Sequence, residues 1–303
     1  MIDDPATAVF EGERPRLLGL AYRLLGSVAD AEDVVQETWL RWQRVDRAAV
    51  QTPAAWLTTV CSRVGLDLLR ARQRDRSDYV GPWLPEPLVA PASSTVSDPE
   101  SVAEMSDSLT TSFLVMLETL TPEERLGVLL VDVFGEPFET VGGLIGRSAS
   151  TSRQLVARAR RKLRSGTQAA HVDPRSSAME VARRLAAAVI EGDVDAVQRL
   201  LAPEVVLLSD GGKHHRAARR PVVTVPRVSR FLVNIGARLV AVGDAVELSE
   251  TTINGAPALV VRLGGVTPVF AQAMDVVDGR VVRIHTFLNP DKLRSLDLTP
   301  RLT

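Results

Sequence analysis

Residues Phe138–Arg164 read FETVGGLIGRSASTSRQLVARARRKLR. The first part, Glu139–Ile145, is apolar enough for a short helix and stops at Gly146, a residue suited to a tight turn. Ser148 is a good N-cap for a second helix, which runs without glycine or proline to Arg164. Two helices joined by a glycine turn are typical of a helix-turn-helix.

The second of these helices has an apolar side and a basic side. The side chains that recur at helical spacing, and so predict a buried stripe, are Leu155, Val156, Ala159 and Leu163. Arginines are frequent from Arg147 to Arg164, and acidic residues are absent there. The polar start of the helix would meet base edges in a DNA major groove, while the arginines would neutralise phosphates. For this stretch alone, a solvated basic helix remains the alternative.

Bulk composition indicates a folded chain with partitioned charge. Its 303 residues suffice for roughly two or three domains, and it is 45% hydrophobic and 24% charged. The formal net charge of −1 argues against a uniformly basic nucleic-acid binder, because the basic residues are concentrated near Arg70–Arg76 and Arg147–Arg164. The single cysteine, Cys61, cannot form an intramolecular disulfide. There is no long apolar run and no basic leader, so we expect a cytoplasmic location without membrane contact.

The N-terminal quarter of the chain is predicted to be helical. Its second helix, Asp30–Arg44, carries acidic residues in the first turn, where the helix dipole favours them. The apolar residues of that helix are too widely distributed for one narrow stripe, so part of this surface is expected to face a partner. Pro53 starts a third helix, which ends in the basic run Arg70–Arg76.

Two blocks of this sequence resemble a known family. DAEDVVQETWLRW at Asp30–Trp42, followed by TPAAWLTTVCSRVGLDLLRARQR at Thr52–Arg74, resembles region 2 of an extracytoplasmic-function sigma factor of bacterial RNA polymerase. LTPEER at Leu120–Arg125, followed by the helix-turn-helix, resembles region 4. The resemblance covers about half of the chain. One departure is the pair Gly142 and Gly143, which replaces good helix formers and should soften the first helix of the motif.

The resemblance implies partners and site residues. In this family the acidic-aromatic helix of region 2 binds the β′ coiled coil of core polymerase, and region 4 also meets the β flap. The loop Val45–Thr52 and the basic helix after it recognise and melt the −10 promoter element, where an unpaired base is held outside the stack. Region 4 reads the −35 element. The positions implied for polymerase binding are Asp30, Asp33, Gln36, Glu37 and Trp39; for the −10 element, Arg63, Arg70 and Arg72; for the −35 element, Arg147, Ser150, Thr151, Arg153, Gln154, Arg158 and Arg161.

Between the two blocks, residues 77–106 contain five prolines and read as an extended connection. Trp83–Pro87 reads WLPEP, and an exposed tryptophan in a linker would waste apolar burial unless it docks on another part of the protein. Two interpretations stay open: the tryptophan simply packs on the nearest domain, or its docking has a regulatory role.

Residues 174–303 predict an α+β domain. The predicted helices are Ser176–Glu191, Val194–Leu201 and Val228–Ile235, and the predicted strand segments are Glu204–Ser209, Arg238–Glu250, Ala258–Leu263 and Pro268–Leu288. Turns such as Asn254-Gly255 and Asp278-Gly279 separate the strands. Helices first and a curved sheet afterwards indicate a cone shape, and the segment resembles the SnoaL-like domains of the nuclear-transport-factor-2 superfold.

Three short motifs resemble those of sigma J-type factors, a subgroup that carries such an extension. They are WLPEP, SDGGK at Ser209–Lys213 and NPDKL at Asn289–Leu293. We expect them to form a regulatory interface in which the C-terminal domain clamps the linker and replaces a separate anti-sigma protein. The residues expected in this interface are Trp83, Pro85, Asp210, Gly211, Gly212, Lys213, Asn289, Pro290, Asp291, Lys292 and Leu293.

An enzymatic role for this domain is a weaker interpretation. The residues that could transfer protons are Asp210, His214, His215, Asp275 and His285, but no spacing forces two of them together. With four histidines, one cysteine and no paired ligand spacing, a metal site is not expected. We predict no catalytic residue and no cofactor. A ligand-sensing role, with a small molecule bound by this domain, stays open.

The sequence therefore predicts a promoter-specificity subunit of RNA polymerase with several domains. Two all-α sigma domains, region 2 at 4–76 and region 4 at 107–166, flank the linker at 77–106. The SnoaL-like α+β domain at 174–303 follows them and modulates activity in cis. The alternative is a stand-alone ligand-responsive regulator, which shares the helix-turn-helix but has no use for Asp30–Arg44 or for the basic helix before residue 76.

Overall fold

The computed structural model describes residues 5–75, 79, 81–89, 110–165, 173–213, 215, 217–243, 246–264 and 267–296. The chain forms two compact units, and each unit is built from two separate stretches of the sequence. The first comprises Met1–Asp78 and Met116–Gln168, and the second comprises Tyr79–Val115 and Ala169–Thr303. The described part of the linker thus belongs with the C-terminal domain. Residues 77, 78, 80 and 90–106 of the predicted linker and His214 lie outside the described residues.

Two groups of helices make up the first unit. The helices are α1 Pro5–Leu25, α2 Val28–Arg44, α3 Pro53–Asp75, α4 Thr111–Leu117, whose last residues belong to this unit, α5 Pro122–Val128 with a π-helical continuation at Leu129–Val133, α6 Phe138–Ile145 and α7 Ala149–Ser165. None of the helices in the described ranges combines the length and hydropathy of a membrane span.

Local sequence explains how α1 and α2 meet. Gly26 ends α1 at a φ of 69°, a conformation that glycine adopts without strain. Ser27 then caps α2, its hydroxyl accepting from the Asp30 amide. The indole of Trp42 donates to the carbonyl of Ala6 at 3.0 Å, and its ring centre lies 5.4 Å from that of Trp56. A tryptophan buried with its polar atom satisfied holds α1, α2 and α3 around one core.

The second helical group is joined to the first by a buried arginine. Arg125 of α5 is 1% exposed and donates from Nη1 to the carbonyl of Leu24 at 3.0 Å and to Glu118 Oε1 at 2.7 Å. Its Nε donates to the carbonyl of Leu117 at 3.0 Å. These three hydrogen bonds offset much of the cost of burying the guanidinium, so Arg125 fixes α5 against the end of α1.

The second unit is an α+β domain. Its helices are α8 Arg175–Glu191, α9 Val194–Leu200, α10 Val225–Val242 and the short α11 Pro290–Leu293; its strands are β1 Leu201–Asp210, β2 Val222–Val223, β3 Val246–Ile253, β4 Ala256–Leu263, β5 Thr267–Val277 and β6 Arg280–Phe287. The strand order is β2-β1-β6-β5-β4-β3, with β1 parallel to β6 and the other neighbours antiparallel. The predicted fold class of this part is confirmed, and its sheet topology could not be read from the sequence.

Two predicted elements of this domain were wrong in extent. Residues 238–242 form the last turn of α10 and not the start of a strand, so the predicted helix Val228–Ile235 is longer at both ends. The small and apolar residues of this stretch are compatible with the spacing of a helix and with that of a strand, and packing decides between the two. Gly236 lets α10 approach α8 so closely that an added Cβ would lie 2.5 Å from the carbonyl oxygen of Val189. The segment Pro268–Leu288 contains the two strands β5 and β6, separated by the Asp278-Gly279 turn as predicted.

The two faces of the sheet are covered by different parts of the chain. On the inner face, β1, β4, β5 and β6 bury residues such as Leu207 and Ile284 against α8, α9 and α10. On the outer face, Phe287 and its neighbours are covered by Leu84 of the linker, Val115 of α4, and Leu293. The described part of the linker and the start of α4 are therefore part of the core of this domain.

Candidate functional site

The turn of the helix-turn-helix depends on one glycine of α6. The amide of Arg147 donates to the carbonyl of Gly142 at 2.9 Å, and an added Cβ at Gly142 would lie 2.5 Å from the Arg147 carbonyl oxygen. Gly142 is therefore required for the close approach of the turn, which the expectation of a softened helix did not foresee. Gly146 adopts a φ of 68°, and the Ser148 hydroxyl caps α7 by accepting from the amide of Thr151 at 3.2 Å.

The first turns of α7 present polar side chains to solvent. Arg147, Ser150, Arg153 and Gln154 are exposed, and Thr151 is half-buried. Arg153 stacks over the Phe138 ring at 5.4 Å and lies 3.6 Å from Glu139 Oε1. An exposed ion pair of this kind is worth little, so it leaves Arg153 able to bind another acceptor.

Further along α7, a buried carboxylate engages two of the basic residues. Arg158 Nε and Lys162 Nζ donate to the two oxygens of Glu124 at 2.9 and 2.6 Å. Burial alone would raise the pKa of Glu124, but hydrogen bonds from Lys162, the Thr121 backbone and Arg158 hold it below its ordinary value. Arg158 is thus partly structural, whereas Arg161 is exposed on the same helix.

On α2, the predicted polymerase-binding residues divide into two sets. Asp33 and Gln36 are exposed, and Glu37 pairs with Arg41 at 2.8 Å. Their spacing places these acidic and polar groups on one face of the helix. Trp39 instead contacts α1, its ring centre lying 4.8 Å from that of Phe10.

Asp30 does not belong to that exposed face. It is 7% exposed and pairs with Arg72, so the structure joins a residue predicted for polymerase binding to one predicted for −10 binding. Because the pair ties the start of α2 to the end of α3, its evident contribution is to the packing of these helices.

On the basic helix α3, the predicted DNA-binding residue Arg63 is exposed to solvent. Arg70 donates from Nε and Nη2 to Glu123 Oε1 of α5 at 3.0 and 2.7 Å. Burial would raise the pKa of Glu123, but the hydrogen bond from Arg70, its own backbone amide, the charge of Arg70 and the Thr121 hydroxyl together hold the pKa below its ordinary value. Arg70 would have to leave Glu123 before it could contact DNA.

In the second unit, one buried carboxylate connects the linker to the C-terminal domain. Asp210 is fully buried at the end of β1. Its Oδ1 accepts from the Tyr79 hydroxyl and from the Gly212 amide at 3.0 Å. Its Oδ2 accepts from the Leu84 amide at 2.9 Å and from Lys292 Nζ at 2.7 Å. All three short motifs thus meet at Asp210, and we call this arrangement the Asp210 node.

The cation of the node comes from NPDKL. Lys292 Nζ also donates to the Leu84 carbonyl and lies 4.2 Å from the centre of the Trp83 ring and 5.4 Å from that of Tyr79. A largely desolvated ammonium between two aromatic rings and a carboxylate is held by Coulomb and cation–π attraction together. Trp83 is therefore docked and does not lie free in the linker.

Close backbone packing completes the node. Asn289 Nδ2 donates to the Tyr79 hydroxyl at 3.3 Å. Gly212, at a φ of 57°, lies so near to Asn289 that an added Cβ would be 2.7 Å from its Nδ2. Gly211 is similarly confined by the carbonyl of His215, at 2.4 Å from an added Cβ. The two glycines of SDGGK are there because side chains would not fit.

Some residues of the predicted interface lie in or beside the node without joining its hydrogen bonds. Pro85 is buried in the linker, and Leu293 is buried in the outer-face core. The remaining three, Lys213, Pro290 and Asp291, are exposed. Asp291 pairs with Arg294 at 2.8 Å, which is a local contact on the surface.

The candidate proton-transfer residues that the structure describes lie in different surroundings. Asp275 and His285 lie on the outer face of the sheet, where Asp275 accepts a hydrogen bond from Ser112 of α4. His285 is 1% exposed, and burial lowers its pKa, which favours the neutral ring. Asp210 is engaged in the node, and His215 is exposed. Within the described ranges, no group of three or more His, Cys, Asp or Glu residues is arranged to hold a metal ion.

A separate cleft opens on the inner face of the sheet, between α8, α10 and β3–β5. Its volume is about 50 Å³, and its walls are apolar side chains such as Val189, Phe270 and Met274. Gln272 adds an amide, whose Nε2 donates to Thr286 at 3.2 Å. The cleft suits a small apolar group with one hydrogen-bonding function.

Comparison with known proteins identifies the family. The Sigma-70 region 2 family model matches residues 9–75, and the Sigma-70 region 4 model matches residues 111–163. Over 306 aligned residues, the chain is 37% identical to the ECF RNA polymerase sigma factor SigJ of Mycobacterium tuberculosis, with 96% of this chain and 94% of that protein covered. The chain belongs to the ECF sigma factor family.

Other relatives agree with this assignment. The probable ECF RNA polymerase sigma factor SigI of M. tuberculosis is 31% identical, with 97% of this chain and 96% of that protein covered. The crystal structure of M. tuberculosis SigJ superposes with a TM-score of 0.75 at 34% identity, covering 95% of this chain and 98% of that one. The predicted family and the predicted order of two helical sigma domains before an α+β domain are therefore confirmed.

Sequence reasoning missed several residues that hold the linker of this sigma factor. Tyr79 joins the node, and Asn254 exchanges two hydrogen bonds of 2.8 Å with the backbone of Leu88. Ser112 and Asp173 fix the chain on either side of the helix-turn-helix. Tyr79 could have been predicted to dock, because it is an aromatic residue in a proline-rich linker. Asn254 could not, because its place in an Asn-Gly turn already accounted for it.

Proposed function

We propose that this sigma factor brings core RNA polymerase to specific promoters and that its C-terminal domain modulates this activity in cis. The full-length likeness to sigma factors, with matches to both region 2 and region 4, carries the first part. The exposed face of Asp33, Gln36 and Glu37 is the proposed contact with the β′ coiled coil, and region 4 also meets the β flap. The proposal involves no covalent chemistry.

DNA recognition is divided between the two helical groups. Arg63 and the released Arg70, with the loop Val45–Thr52, engage the −10 element. The start of α7 enters the major groove at the −35 element, where Arg153 and Gln154 read base edges. Arg147 and Arg161 bind phosphates, which positions the helix.

The Asp210 node supports the regulatory part of the proposal. It holds Tyr79 and residues 81–89 on the C-terminal domain, so this described part of the segment between regions 2 and 4 is fixed. A domain that fixes the linker limits the separations that the two promoter-reading regions can adopt. The inner-face cleft is the proposed site for a small-molecule ligand of this domain, with Gln272 as its polar contact.

Transcription with purified core polymerase tests the function. We expect core polymerase alone to give no run-off product of defined length from a cognate promoter, and the holoenzyme to give one. A stand-alone regulator would bind the same DNA without polymerase and would not co-elute with core polymerase. That outcome would overturn the proposal.

Region 4 variants test how α7 reads DNA. Arg161→Ala should weaken binding to all sequences and reduce the slope of log K against log salt by about 1, as expected for one lost phosphate contact. The double variant Arg153→Ala, Gln154→Ala should instead change base preference at the −35 element, by about 1–3 kcal/mol per lost bidentate contact. Selection from a promoter library measures both effects.

The control for these variants is Arg158→Ala, which we expect to lower stability as well as affinity, because it removes a partner of the buried Glu124. An unchanged base preference in the Arg153 and Gln154 double variant would contradict the placement of α7.

A further inference from the structure

We propose that the C-terminal domain anchors region 4 at both ends on a single β-hairpin, and that this double anchor sets the promoter spacing which the sigma factor accepts. The inference rests on the proposed function, and it assigns Ser112 and Asp173 as positioning residues for the −35 reader. Both anchors lie in the second unit and meet the strands β5 and β6.

The first anchor holds the chain as it enters region 4. The Ser112 hydroxyl in the first turn of α4 donates to Asp275 Oδ2 of β5. Val115, one turn later, packs on the outer-face core beside Leu84 and Phe287. The neighbouring Thr111 is fully buried. The start of region 4 is thus fixed by a hydrogen bond and by apolar burial together.

The second anchor holds the chain as it leaves region 4. The Asp173 amide donates to the Val276 carbonyl at 3.1 Å. In return the amides of Asp278 and Gly279 each donate to one oxygen of the Asp173 carboxylate at 2.9 Å. These two residues form the β5–β6 turn with φ values of 50° and 71°, which leaves their amides free to bind an external acceptor. A carboxylate that accepts two backbone amides is a specific contact.

The two anchors lie close together. Asp275 and Asp278 are three residues apart, so their positions along the hairpin differ by about 10 Å. Region 4 therefore leaves and re-enters the C-terminal domain at nearly the same place. The eight peptide units from Ser165, the last residue of α7, to Asp173 can span at most about 28 Å. The chain segments on both sides of region 4 are consequently attached to the hairpin, so that region 4 is connected as a closed loop and not by a single tether.

A closed loop restricts the positions that α7 can take relative to the rest of the protein. A promoter whose −10 and −35 elements are not at the optimal separation would require one anchor to open. The sigma factor would therefore occupy such a promoter less. Removing the anchors should enlarge the range of accessible positions and reduce the effective concentration at the best one. Activity at the optimal spacing should fall, and discrimination against other spacings should weaken.

The test is run-off transcription by the full-length chain with core polymerase, on promoters whose spacer is varied by up to two base pairs on either side of the optimum. For Ser112→Ala combined with Asp173→Ala, we expect the ratio of activity at the optimal spacer to activity at the altered spacers to fall by at least about threefold to tenfold, which corresponds to the loss of one ordinary hydrogen bond. Ser112→Thr with native Asp173 retains a hydroxyl and should keep the wild-type profile.

Asp193→Ala is the matched control, because Asp193 caps α9 of the same domain and contacts neither anchor. It should reduce thermal stability without changing the spacer profile. Hydrogen exchange at the Leu114 amide, which donates to the carbonyl of Thr110 just before α4, should quicken in the double variant and not in the control. An unchanged spacer profile in a folded double variant would overturn the anchor, whereas absence of promoter-specific initiation by the wild-type chain would overturn the proposed function instead.

Discussion

Replacing Asp33 with arginine is expected to weaken the association of the chain with core polymerase by at least about 100-fold, because the loss of one partner from a desolvated charge pair costs several kcal/mol and like charges then face each other. Asp33 is exposed on α2 beside Gln36 and Glu37, and it takes no part in the packing of that helix. The fold should therefore be unaffected. Binding of labelled core polymerase, measured by fluorescence anisotropy, gives the affinity.

The charge-matched control is Glu32→Arg. Glu32 is the preceding exposed residue on α2 and has the same charge, but it points to a different side of the helix. It should weaken binding far less, because only long-range attraction to the polymerase changes. Equal losses in the two variants would show that the face of Asp33, Gln36 and Glu37 is not the contact, and normal binding of Asp33→Arg with unchanged melting would show the same.

The second large effect is expected from Asp210→Ala. This change removes the acceptor of Tyr79, Leu84 and Gly212 and leaves the Lys292 ammonium without its counter-charge in a site where Lys292 is 12% exposed. Breaking a buried pair by removing one partner costs about 3–5 kcal/mol. We expect the linker to undock and the second unit to lose stability by an amount in this range. Chemical denaturation and Trp83 fluorescence would measure both results.

Glu204→Ala provides the control on the same strand. Glu204 is an exposed carboxylate of β1, so its removal should change stability by no more than about 0.5 kcal/mol. A change of Trp83 emission in the Asp210 variant alone would mark undocking. If Asp210→Ala melted like the Glu204 control and kept the wild-type emission, the node would not hold the linker.

Local patterns predicted the parts of this structure that are decided locally. The Gly146 turn and the Ser148 cap follow from residue chemistry within a few positions, and α7 buries Leu155 and Val156 as its periodicity predicted. The docking of Trp83 was also foreseeable, since a tryptophan among prolines requires a surface. Its place of docking was foreseen only through the resemblance to a motif-bearing subgroup.

Pairings across long sequence separations were not predictable from the residues. The contact of Tyr79 with Asp210 spans 131 positions, and that of Arg72 with Asp30 spans 42. Asp30 reads locally as a first-turn acid with a free carboxylate, and only tertiary packing reveals that α3 supplies its partner. For the same reason Arg158 read as a phosphate contact, although Glu124 from α5 holds it.

Control of initiation by the C-terminal domain through the docked linker can be measured by transcription from one cognate promoter. Run-off synthesis would be compared, at equal protein abundance, for the full chain, a chain that ends before Asn289, and a chain that ends after Gly166. We expect both shortened chains to differ from the full chain and from each other, because the first loses only the Lys292 and Asn289 side of the node and the second loses the whole C-terminal domain. Equal run-off synthesis from all three would contradict this expectation.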